Sequence, residues 1–168
     1  VTALLLSYLG FMVWYLASAR RSAFRMSVTD QVTGLFNRSA FEKYLNESEP
    51  HTFSHTVCVY IDVNGLHELN NKHGHEAGDQ MLRAVAASLD EQFRSKRLYR
   101  IGGDEFALIV NGALSEEFCA KRTERIKDVL TQPFVINGQE LHIGTSCGSA
   151  LYPADSTEVK AVSYTHLR

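Results

Sequence analysis

The chain has 168 residues, 45% of them hydrophobic, with 17 Lys and Arg against 19 Asp and Glu. That suits one ordinary domain with a single core plus a short appendage, and a net charge of −2 with this apolar content excludes a disordered chain. A general nucleic-acid coat is excluded as well, because no excess of basic residues exists to neutralise phosphates.

From Val1 to Ala19 no residue is charged, and Arg20, Arg21 and Arg25 follow. Nineteen helical residues span ~28 Å, close to a bilayer core of ~30 Å, and Trp14 and Tyr15 lie near one end as interfacial aromatics do. This predicts a transmembrane helix over residues 1–19 in the inner (plasma) membrane, with the Arg-flanked end, and so the following domain, cytoplasmic. A uniformly apolar core helix is one alternative. A signal peptide is another, since Ala17-Ser18-Ala19 resembles a cleavage site, but the basic residues follow the apolar stretch instead of preceding it. Residues 20–29 contain no Gly or Pro and read as a helical connector.

Ser39 is placed to cap a helix over about 40–48 with Phe41, Tyr44 and Leu45 on one face. Thr56–Val63 is rich in β-branched residues and reads as a buried strand. The stripe Leu82, Val85, Ala86, Leu89 and Phe93 marks a helix from about Gly78 to Phe93. Leu98–Ile101 and Phe106–Val110 flank Gly102-Gly103-Asp104-Glu105 as a hairpin would. A helix over about Ser115–Leu130, a hairpin at Asn137-Gly138 and a strand over Leu141–Tyr152 complete the order. Interleaved helices and hairpins predict an α+β fold with an antiparallel-rich central sheet flanked by helices. Three cysteines without a C-x-x-C motif indicate neither a disulfide framework nor a zinc knuckle.

The acidic remainder of the chain, 14 basic against 19 acidic residues beyond position 28, would need a metal or a local cradle to bind an anion. Asp104 and Glu105 sit at a hairpin tip, and Asp62 ends an apolar strand that could present it beside them. Such oxygens suit Mg²⁺ or Mn²⁺, so the set suggests metal-dependent handling of a phosphate substrate. The other reading is that these acids only decorate turns. His73-Gly74-His75 invites a metal reading too, but no acid or Cys at ligand spacing completes a zinc site.

Four ordered motifs extend the pattern. Gly102–Phe106 spells GGDEF, preceded by Arg100; Asp30-x-x-Thr33-Gly34-Leu35-x-Asn37-Arg38 lies upstream; Asp62–Asp79 and Ser146–Ala150 lie on either side of the hairpin. Together, from about Asp30 to Pro153, they resemble the GGDEF family of diguanylate cyclases. The resemblance implies condensation of two GTP into cyclic di-GMP with release of two pyrophosphates, by a homodimer holding one GTP and two divalent metals (Mg²⁺ or Mn²⁺) per site. It implies Asp62, Asp104 and the Val63 carbonyl as metal ligands, with Glu105 either on a metal or near the attacking hydroxyl's proton. Asn70 and Asp79 would read guanine, and backbone amides near Gly65, Leu66 and His67 and at Gly102-Gly103 would line the phosphates.

Several departures accompany the match. Asn64 and His67 stand where many members have Asp and Lys. Phe93 and Lys96 replace the Arg and Asp of the product-inhibition site, so no inhibitory site is expected. The family's closing helix, with its Lys and Arg, is missing from 30–161, and residues 162–168 resemble a translated sequencing adaptor; a piece cut at both ends is expected. The alternative function is a catalytically inactive GGDEF module that binds GTP or a partner and acts as a regulator.

Overall fold

The computed structural model describes residues 2–47, 56–95, 97–112 and 115–152, with the side chains of 2–6 and 21–26 left out. Helix α1 (Thr2–Val28) leads into strand β1 (Phe36–Asn37) and helix α2 (Arg38–Glu47). Strand β2 (Thr56–Asn64) is followed by helices α3 (Leu66–His73) and α4 (His75–Phe93). Then come β3 (Leu98–Arg100), β4 (Glu105–Asn111), α5 (Glu116–Thr131), the short pair β5 (Phe134–Ile136) and β6 (Gln139–Leu141), and β7 (Gly144–Tyr152).

Five strands form one sheet in the order β1-β3-β4-β2-β7. Among the described strands only β1 and β3 run parallel, so the sheet is mixed, though as rich in antiparallel pairs as the hairpin signals predict. β2 lies in the centre and alternates between two cores. Val57, Val59, Ile61 and Val63 face one side, where Phe106, Leu108, Met81, Leu82, Val85, Leu89, Ile126 and Leu130 cluster beneath α3, α4 and α5. Cys58 and Tyr60 face the other, packed with Tyr99, Ile101, Ala107, Ile109, Ala150 and Phe41 of α2. Phe41 meets the Tyr60 and Tyr99 rings edge-on at centroid distances of 6.2 and 5.3 Å, the favourable arrangement of ring quadrupoles. A strand buried on both faces explains the unbroken apolar run TVCVYI.

The structure corrects three expectations. The α2 cap is Asn37, whose Oδ1 accepts from the Ala40 amide at 3.0 Å; Ser39 lies inside the helix, which starts two residues earlier than the spacing suggested. The α4 helix begins at His75, and His73 and His75 end one helix and open the next, with the chain turning at Gly74 (φ 85°, ψ 161°). The final strand begins at Gly144, because Gln139–Leu141 pairs with β5 across Asn137-Gly138, both left-handed at φ 51° and 77°. The expected segment 1–19 and its helical connector 20–29 run as one continuous helix to Val28, as a connector that continues the first helix would. No helix among the described residues is long and apolar enough to cross a membrane. Among the described side chains of this stretch, large apolar groups are open, Leu9 at 60% and Trp14 at 64% exposure. The expected tail 162–168 lies outside the described residues.

Candidate active site

Strand register brings the acids together. β2 and β4 are antiparallel with Asp62 directly opposite Glu105, and Ser146 of β7 flanks Asp62 on its other side. Directly opposed residues share a sheet face, so the Asp62 and Glu105 side chains leave the strands on the same side. Asp104 sits at the tip of the β3–β4 turn, and its carbonyl accepts from the Val63 amide at 2.9 Å, which locks the turn onto the end of β2. Ile101 and Gly102 both donate to the Glu105 carbonyl, at 2.9 and 3.3 Å, and close the turn.

The electrostatics record the crowding. Burial pushes the Asp62 carboxyl above its ordinary range, and the negative charge of Asp104 pushes it further. The Glu105 carboxylate folds back over Gly102, where a Cβ would collide with it. No group of three or more His, Cys, Asp or Glu side chains placed to hold a metal occurs among the described residues. Asp62 and Asp104 with main-chain carbonyls are still an all-oxygen donor set, the kind that hard divalent cations take. The like-charge push on Asp62 is what a cation between the two would relieve.

Beside the acids, the chain leaves β2 through Gly65, whose φ of 86° is a left-handed conformation that a side chain resists. That turn starts α3 abruptly, so the first-turn amides at Leu66 and His67 have no acceptor one turn back; the ladder begins with Leu69 donating to the Gly65 carbonyl at 3.0 Å. Leu66 is itself buried in the core and His67 is exposed, so only main-chain donors of this segment are common to the expected phosphate cradle.

Further along, Asn70 of α3 leans on the main chain of α4 at Gly78, next to Asp79. Its Oδ1 is buried and has no hydrogen-bond partner. A buried acceptor left unmade costs about 1–3 kcal/mol. The structure thus brings Asn70 against Gly78, the chain neighbour of Asp79, and brings Asp62, Val63, Asp104 and Glu105 to one end of the sheet. At the expected inhibitory position, Phe93 lies 5.0 Å under the Arg122 guanidinium; Lys96 falls outside the described residues.

Sequence reasoning quoted Asp30 and Arg100 only as parts of motifs. The fold joins them: Arg100 Nη1 donates to both Asp30 oxygens at 2.9 and 3.2 Å, and Nη2 donates to the Gly103 carbonyl at 2.7 Å. Gly78 was likewise legible only as a helix residue and a motif member, although its missing Cβ is what makes room for Asn70.

Comparison with known proteins now places the chain. Residues 27–164 match the family described as "Diguanylate cyclase, GGDEF domain". The chain belongs to the GGDEF family. It is 30% identical over 144 residues to the bifunctional diguanylate cyclase/cyclic di-GMP phosphodiesterase MucR of Pseudomonas aeruginosa, covering 83% of this chain and 21% of that protein. It is 32% identical over 148 residues to the cyclic di-GMP phosphodiesterase PdeR of Escherichia coli, covering 85% and 22%. The chain therefore spans about a fifth of the length of these relatives. The crystal structure of the coiled coil and GGDEF domain of DgcB from Caulobacter crescentus shares the fold, with a TM-score of 0.78 at 24% identity over 94% of this chain and 88% of that one.

Proposed function

We propose that this GGDEF domain is a diguanylate cyclase that condenses two GTP into cyclic di-GMP and releases two pyrophosphates. The observation that carries the reading is the hydrogen bond from the Val63 amide to the Asp104 carbonyl, which sets the second acid against the strand end that bears Asp62. In this reading Asp62, Asp104 and the Val63 carbonyl hold Mg²⁺ or Mn²⁺, two per GTP site. When bound, such cations neutralise the triphosphate and acidify the attacking hydroxyl.

The chain's own residues do the rest. Asn70 Oδ1 accepts from the guanine base, which satisfies its unmade bond, and the Asp79 carboxylate accepts from the N1–H and 2-amino edge. Main-chain amides at Gly65, Leu66 and His67 and at Gly102-Gly103 line the phosphates. Each GTP sits on one subunit of a homodimer. The 3′-oxygen of one bonds to the α-phosphorus of the other as the bond to the pyrophosphate oxygen breaks, and the hydroxyl proton leaves to Glu105 or water. Two such events close the ring.

A second reading, a catalytically silent module that binds GTP or a partner, is favoured by two observations. One is the similarity to PdeR, named as a phosphodiesterase. The other is the Glu105 carboxylate turned onto Gly102. The test incubates this chain with GTP and Mg²⁺ and separates products by mass. Cyclic di-GMP is the expected product. GTP bound without product would move the assignment to the silent module.

The same proposal seats the domain on the cytoplasmic side of the inner membrane as the output of a signalling protein. The support is the open apolar surface of α1 ahead of three Arg. Carbonate-resistant membrane recovery is expected; a soluble dimer would instead assign α1 to pairing with a second copy.

A further inference from the structure

We propose that Asp30 and Arg100 form a latch that positions the Asp104 carboxylate, an inference that rests on reading Asp62 and Asp104 as the cation-holding acids. The carboxylate of Asp104 leaves a Cα that lies between two peptide groups. The carbonyl before it, on Gly103, is gripped by Arg100 Nη2 at 2.7 Å. The carbonyl after it, its own, is gripped by the Val63 amide at 2.9 Å. With both flanking peptide planes fixed, the direction of the Cα–Cβ bond is fixed, and only the short side-chain torsions remain.

Arg100 can grip the turn only because its other arm is anchored. Asp30 receives Nη1 on both oxygens, and is itself held by the Thr33 amide at 2.8 Å, the Thr33 hydroxyl at 2.7 Å and its own amide on the Leu35 carbonyl at 2.8 Å. The anchor therefore stands in a closed turn 70 residues away from the hairpin in sequence. Beyond it, Asn37 Nδ2 donates to the Ser27 and Thr29 carbonyls at 3.0 and 3.4 Å, which ties the same turn to the end of α1.

Geometry favours positioning over stability as the role. The pair is 12% and 21% exposed, a setting in which desolvation offsets much of the Coulomb gain. Arg100 Nε is buried without a partner, so the guanidinium gives up one bond to span Asp30 and Gly103 together. Only the planar fork of Arg reaches both; an ammonium is a single point.

The test uses the chain with GTP and Mn²⁺ and has two readouts: Mn²⁺ affinity by electron paramagnetic resonance, and hydrogen exchange of the Val63 amide. Arg100→Lys keeps the charge and removes the fork. It is expected to weaken Mn²⁺ binding about tenfold and to speed Val63 exchange at unchanged thermal midpoint, as a released turn requires. Asp30→Asn should act in the same direction, and the double variant should be no worse than Arg100→Lys, since both break one path. Lys121→Gln, which removes an exposed helical ion pair, should change neither readout. Unchanged exchange and affinity in Arg100→Lys, or a lowered midpoint alone, would overturn the latch. Should Asp30→Asn fail to fold, Arg100→Lys decides. If the unaltered chain binds no Mn²⁺ with GTP, the metal reading of the site fails, and Val63 exchange still decides whether Arg100 holds the turn.

Discussion

Gly78→Ala separates the fold from the proposed base site. Gly78 is buried in α4 with helical backbone, so alanine fits its conformation and gains about 0.5–1 kcal/mol of helix propensity. Its new methyl would strike Asn70 at Oδ1, with Cγ at 2.8 Å and Nδ2 at 3.2 Å. All three atoms belong to the free end of a side chain, which can turn away for about 0.5–1.5 kcal/mol. The two effects nearly cancel, and stability should stay within about 1 kcal/mol, or a few degrees in thermal midpoint. Binding should not be spared. A displaced Asn70 loses its hydrogen bond to the base, about 0.5–1.5 kcal/mol, or roughly a two- to tenfold weaker Kd for GTP. Calorimetric titration with GTP, beside thermal unfolding, reads both. Asn70→Ala should weaken GTP similarly, and Gly78→Ala added to it should do little more. Unchanged GTP affinity in Gly78→Ala would refute the placement of the base against Asn70.

Three further outcomes are expected. Asp104→Asn should lower the Asp62 carboxyl toward its ordinary range, though not fully, because burial acts on it first; carboxyl NMR titration reads this. The sign for stability follows: the folded state holds the Asp62 proton more tightly than the unfolded chain, so this group subtracts stability as pH rises through its raised pKa, and Asp104→Asn should flatten that loss in acid unfolding curves. Asp79→Ala should erode GTP preference over ATP in competition binding, since groups built to pair with guanine are unmatched by adenine; an unchanged ratio would place base reading elsewhere. Asn37→Ala should destabilise by about 0.5–2 kcal/mol as a lost cap, while Ser39→Ala changes little; equal losses would contradict the observed cap.

The parts of this protein legible in the sequence are those encoded by neighbours in the chain. The β-branched run 56–63 and the glycine-acid turn at 102–105 are local signals, and each became the strand or turn expected. Asn37 was missed as a cap because Ser39 offers an equally good hydroxyl two residues on. What decides between them is the pairing of Phe36 and Asn37 with Tyr99 and Arg100, which ends the extended chain before Arg38. The His73-Gly74-His75 junction was missed because α3 is amphipathic over only eight residues, with Leu66 and Leu69 as its buried anchors. The latch lies furthest from sequence. Asp30 and Arg100 meet only because β1 adds to β3 in parallel, a crossover that no local periodicity announces.

The acids at the strand ends would be a liability if the fold alone were at stake. Asp62 faces Glu105 across a ladder whose register is fixed by buried pairs from Cys58 opposite Ile109 to Ile61 opposite Phe106, so the like charges cannot slip apart. Directly opposed like charges destabilise a sheet. Among the described residues, the side-chain ion pairs involve Arg38, Lys43, Arg100 and Lys121, and none reaches Asp62, Asp104 or Glu105. Arg100 is the basic residue closest in sequence to the hairpin acids, yet its guanidinium is turned to Asp30 and to the main chain of Gly103. A cation that could have neutralised the cluster is thus used to aim it. Asp62 and Asp104, side by side with no countercharge among the described side chains, fit the proposed reading in which a cation arrives with the substrate.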